Sequence, residues 1–147
     1  MAVVPYTRRM DNCVQKGPAV IVNGDVLFTI TGGPIEILDL QSVCITGNDT
    51  TASTLQYTHA PTDGAATTIS GVSASLASAL AGASVTLQGT ALTTAPTVSA
   101  SGGCLGATRS IVVQPGTLKA VVGVGSTTGT WKHFLRYRPL GPNVVVS

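Results

Sequence analysis

The stretch Gly129-Thr130-Trp131-Lys132-His133-Phe134-Leu135-Arg136-Tyr137-Arg138-Pro139-Leu140 sets the terms for the rest of the chain. It holds the only Trp, one of two Phe, one of three Tyr and three of the eight basic residues. In an extended strand successive side chains point to opposite faces. Trp131, His133, Leu135 and Tyr137 then share one face, and Lys132, Phe134, Arg136 and Arg138 share the other. The first face can anchor a core. The second is basic with a single aromatic, which suits a strand with the core behind it and a partner in front.

Upstream of this stretch the pattern is β throughout. Ala19 to Val22 leads into Asn23-Gly24 and then Asp25 to Ile30. Asn-Gly between apolar β-formers predicts a tight hairpin, because a type I′ turn needs positive φ twice. Gly32-Gly33-Pro34 breaks the second strand, and Ile35 to Leu40 and Val43 to Thr46 read as the next two. Thr54 to His59 alternates strictly, with Leu55, Tyr57 and His59 on one face. Shorter strands are expected about Thr67 to Ile69, Ser84 to Gln88, Ser110 to Val113 and Leu118 to Val124.

The one stretch with helical spacing is Ser75 to Gly82, where Leu76, Ala79 and Leu80 fit i, i+3, i+4 and Gly82 suits the stop. Gly89 to Thr108 reads as a long loop. Short strands with turn signals every 8–12 residues indicate a β-sandwich, jelly roll or barrel. Residues 1–18, with little periodicity, are expected to form an N-terminal arm, residues 19–140 the sandwich, and residues 141–147 a C-terminal tail.

Composition narrows the function classes. The chain has 147 residues, 10% of them charged, against roughly 25% in an average soluble chain. Its mean hydropathy is +0.39, yet no run approaches the ~20 apolar residues of a membrane span. The net charge of +2, with basic residues scattered except near the two ends, gives no stripe for nucleic acid. A surface this poor in charge is explained either by neighbouring subunits covering it or by a Thr/Ser coat. Met1 to Arg9 carries no secretory signal, so Cys13, Cys44 and Cys104 are expected to be reduced thiols.

Catalysis requires polar groups converging on one point. The six carboxylates, Asp11, Asp25, Glu36, Asp39, Asp49 and Asp63, show no such pairing, and three of them sit in turns. His59 and His133 fall on apolar faces, where a buried, hydrogen-bonded histidine is expected. The three Cys and two His lack zinc-type spacing. No catalytic residue, metal ligand or cofactor site is assigned. The candidate contact residues are Tyr6, Arg8 and Arg9 in the arm and Lys132, Arg136 and Arg138 on the last strand. Arginine binds carboxylates in bidentate fashion, so this set suits an acidic protein surface, although a solvated basic edge is the simpler alternative for any one of them.

The run Thr67 to Leu92, and the ending Pro115 to Lys119 followed by Val124 to Leu140, resemble small virion structural proteins of tailed bacteriophages. The resemblance covers about residues 65 to 140. It implies a virion component made in the bacterial cytoplasm, of the capsid cement or decoration type, which is a β-rich homo-oligomer on the capsid surface and carries no active site. The combined expectation is an all-β, antiparallel, jelly-roll-like sandwich. It would bind the major capsid protein as a dimer or trimer, with neither nucleic acid nor membrane as partner. A tail or head-fibre component for host attachment is the alternative, and a carbohydrate-active enzyme a more distant one.

Overall fold

The computed structural model describes residues 12–88, 91–100 and 110–147. Eleven strands follow one another: β1 (Asn12–Val22), β2 (Val26–Thr31), β3 (Ile35–Cys44), β4 (Thr54–Pro61), β5 (Thr67–Thr68), β6 (Ser84–Thr86), β7 (Thr97–Ser99), β8 (Ile111–Val113), β9 (Gly116–Gly123), β10 (Ser126–Pro139) and β11 (Val145–Val146). They form two antiparallel sheets packed face to face, an all-β sandwich. One sheet runs β1-β10-β3-β6-β7, with β8 paired to the first half of β3; the other runs β11-β2-β9-β4-β5.

The core between the sheets is built by period-2 alternation. β10 contributes Trp131, Leu135 and Tyr137, β3 contributes Ile35, Ile37 and Leu40, and β4 contributes Leu55 and Tyr57. Leu118, Ala120 and Val122 of β9 and Phe28 and Ile30 of β2 close it from the second sheet. Every second residue of β10 from Thr127 to Tyr137 is buried, as the sequence pattern predicts. The strand is not at an edge, however. It pairs with β1 on one side and β3 on the other, so its basic residues occupy the middle of a sheet face.

Four expectations need correction. First, residues 12–18 are no arm: Asn12 to Lys16 pair in register with Tyr137 to His133. Their side chains are mostly exposed because an outer strand needs backbone partners more than an apolar face, so periodicity missed them. Residues 1–11 lie outside the described residues. Second, the C-terminal segment is not a loose tail. Val145 and Val146 pair with Thr31 and Ile30, and Thr29 and Ser147 exchange backbone hydrogen bonds of 2.8 and 3.0 Å. Gly32, at φ +82, lets Asn143 approach where any Cβ would collide with its carbonyl.

Third, Asn23-Gly24 is a tight corner and not a hairpin, since β1 and β2 belong to opposite sheets. Asp25 N donates to Val22 O at 3.0 Å, while Asn23 N donates to Gly125 O and Gly24 N to Ala120 O. The corner therefore grips the β9–β10 connection, where Val124 takes φ +68. Fourth, Ser75 to Gly82 forms turns, not a helix. Its backbone bonds outward: Leu76 N donates to Ser53 O and Ser78 N to Asp49 O, and Ala79 O accepts from Asn48 N. Leu76 is buried and Leu80 is 70% exposed, so the two share no stripe. Within the expected long loop, Thr97–Ser99 forms β7 against β6; residues 89–90 and 101–109 lie outside the described residues.

Candidate functional site

The outer face of the first sheet collects the predicted contact residues of β10. Register defines its rows: Cys13, Arg136 and Asp39 lie side by side, as do Gln15, Phe134 and Gln41, while Lys132 neighbours Val43 and Arg138 neighbours Glu36. Arg138 Nη1 donates to Glu36 Oε2 at 3.1 Å, in a half-exposed ion pair worth under about 1 kcal/mol. The Lys132 ammonium sits 5.7 Å from the centre of the Phe134 ring, within cation–π range. Arg136 is exposed.

This face is mixed in charge and not uniformly basic. Glu36 and Asp39 of β3 stand beside Arg138 and Arg136 of β10, a neutralisation that β10 alone could not reveal. A register shift against β3 between Arg136 and Tyr137, with Leu38 as the extra residue, lets Ile37 and Leu40 both turn inward and so puts Glu36 and Asp39 on the same outer face. Tyr6, Arg8 and Arg9 lie outside the described residues, so of the six candidates the structure brings together Lys132, Arg136 and Arg138.

A second constellation lies inside the sandwich, and only its histidine and tyrosine were visible as inward-facing residues. Ser42 Oγ of β3 is 2.7 Å from His133 Nδ1 of β10 and 2.7 Å from the Tyr57 hydroxyl of β4, which in turn donates to Val85 O of β6 at 3.1 Å. The chain of bonds crosses from one sheet to the other. Ser42 is fully buried and His133 is 5% exposed, so the pair lies in the core between the sheets. Burial holds the His133 imidazole down to about pKa 4, reinforced by the Lys16 cation and opposed by Asp25. Burial likewise pushes the Tyr57 phenol well above its ordinary value. This is structural cement, the buried and hydrogen-bonded histidine that its position on an apolar face predicts.

The other groups have local roles. His59 Nε2 meets Gln114 O at 2.9 Å. Cys44 is buried, its thiol pKa raised by desolvation, and Cys13 is exposed; both are free, and Cys104 lies outside the described residues. The Thr51 side-chain and backbone bonds hold the Asp49 carboxylate below its usual range, and Asp49 O caps the Ser78 turn. Asn48 ties three segments: its Oδ1 accepts from Gly129 N and from Trp131 Nε1, and its Nδ2 donates to Leu76 O. Among the described residues, no group of three His, Cys, Asp or Glu side chains is placed to hold a metal ion, and no helix is long and apolar enough to cross a membrane. No protein-family model, curated protein or solved structure matches the chain.

Proposed function

We propose that this chain is a structural virion protein of a tailed bacteriophage, a cement or decoration protein that binds the outer surface of the capsid and stabilises it. The observation that carries the reading is the strand order. β1-β10-β3-β6 faces β2-β9-β4-β5, with the first four strands alternating between the sheets. We read two sets of four strands in this order as jelly-roll-like, an architecture used in viral capsid domains among others. Fold alone does not assign function. The order gains weight from the resemblance of residues 65 to 140 to small virion proteins, and from a polar cluster sealed inside the core rather than opened to a substrate.

In this reading the outer face of the first sheet meets the major capsid protein. Phe134 would be the buried anchor, and Lys132 and Arg136 would pair with carboxylates at the rim. Homo-oligomers, dimeric or trimeric, would engage several capsid sites at once and so multiply modest contacts. The protein would be made in the host cytoplasm and reside on the virion, with no catalytic role. The test compares particle binding of wild type, Phe134→Ala and Arg136→Ser. Both variants should melt within a few degrees of wild type while occupancy falls, and raised salt should lower wild-type occupancy in the same direction. Unchanged occupancy in both variants would remove this face from the capsid contact.

A further inference from the structure

The polarity of the buried hydrogen-bond chain fixes the state of its histidine. The Val85 carbonyl can only accept, so the Tyr57 hydroxyl spends its proton there. Ser42 Oγ then donates to Tyr57 Oη, and must itself accept from His133 Nδ1–H. His133 is therefore the Nδ1–H tautomer, and its Nε2 carries a lone pair. A new proton has to enter at Nε2 without breaking the chain to Tyr57.

Around that ring the charges are few. On β1, Lys16 is the cross-strand neighbour of His133, and its ammonium donates to the carbonyl of Val26, the first residue of β2. One side chain thus fastens the outer strand of the first sheet to the second sheet. Asp25 lies at the same corner, where its carboxylate accepts from Val22 N at 2.8 Å. From β3 the ring meets neutral Ser42, and behind it from β4 comes neutral Tyr57. Lys119 of β9, between buried Leu118 and Ala120, points to the outside of the second sheet.

We propose that His133 is an acid-operated release for the first strand. A proton taken at Nε2 places a second cation beside Lys16, drives the ammonium off the Val26 carbonyl and frees the Asn12 to Lys16 end of β1 from the second sheet, while Ile21 stays in the core and β3 and β10 stay paired. β1 is suited to this: it is an outer strand, mostly exposed, with register shifts on both sides of Ala19-Val20. Local opening draws on elements with few buried contacts. The depressed proton affinity of the buried ring places the release near pH 4.

Two measurements on the intact protein test this. Long-range proton–nitrogen spectra at pH 7 should show His133 protonated at Nδ1, with His59 as the second imidazole in the same spectrum. Amide exchange, corrected for intrinsic rates, should show β1 opening on the order of tenfold more at pH 4 than at pH 7. The amides between β3 and β10 should stay protected. Lys16→Met removes the fastener without touching the core. It should raise β1 opening at pH 7 toward the acid level and flatten its response to pH. An Nε2–H tautomer at pH 7, joint loss of protection in β1 and β3, or an unaltered pH response in Lys16→Met would each overturn the proposal.

Discussion

Replacing Tyr57 by Phe removes one oxygen from the fully buried centre of the sandwich and leaves the ring in place. The lost hydroxyl is bonded both to Ser42 Oγ, at 2.7 Å, and to Val85 O, at 3.1 Å. Both partners would remain in the core with reduced hydrogen bonding, and a buried polar group left unpaired costs about 1–3 kcal/mol. Ser42 keeps its bond to His133, so its share of the loss is the smaller one. A total of about 2–3 kcal/mol is expected, equivalent to a fall in melting temperature of roughly 5–12 °C for a domain of this size. Urea unfolding should give the same loss from a shifted midpoint at unchanged slope. Combining Tyr57→Phe with Ser42→Ala should cost less than the two single changes added together, because both act on one network. A Tyr57→Phe protein within about 0.5 kcal/mol of wild type would refute the network as a link between the sheets.

Other consequences follow from neighbouring features. His133 has a folded-state pKa depressed to about 4 against an ordinary 6.5, so its contribution is fully present above pH 6.5 and is lost as pH falls toward 4. Melting curves should show about 3 kcal/mol of destabilisation from this group between pH 7 and pH 4, and a flat acid limb would contradict it. Trp131→Ala empties the largest buried side chain and frees Asn48 Oδ1 of one donor; unfolding experiments should show a loss of about 3–5 kcal/mol, whereas exposed Arg136→Ser should change stability little. Val124 holds a β-branched side chain at φ +68 and is 71% exposed, so Val124→Asn should raise the melting temperature, with a gain of up to about 1 kcal/mol.

Much of this architecture is legible in the sequence because strands bury alternate residues. Trp131, His133, Leu135 and Tyr137 announce their face, as do Leu55, Tyr57 and His59, and both groups are buried as the pattern requires. What is not legible has physical causes. Asn23-Gly24 encodes a tight turn, but turn chemistry does not say which sheet the next strand joins. Asn12 to Lys16 form a strand by pairing with β10, and backbone pairing leaves no hydrophobic signature. Leu76 and Leu80 have helical spacing, yet the loop at Asn48 to Ser53 takes the backbone bonds of Leu76, Ser78 and Ala79.

The proposed contact face is half legible in the sequence. The cations of β10 follow from parity, but Glu36 and Asp39 reach the same face only through the register of β3 and its shift. Ser42 gave a weaker signal still. It lies 91 residues from His133 in sequence, and only its inward parity with Leu40 and Cys44 set it apart from an ordinary strand serine.

The most direct test of the virion assignment is the protein composition of purified particles. Phage particles banded on a density gradient and analysed by quantitative mass spectrometry should contain this polypeptide at a fixed ratio to the major capsid protein. Washing in high salt should reduce that ratio while the capsid itself stays intact. Peptides of this chain found only in the unbound lysate fraction, and absent from banded particles, would contradict the assignment.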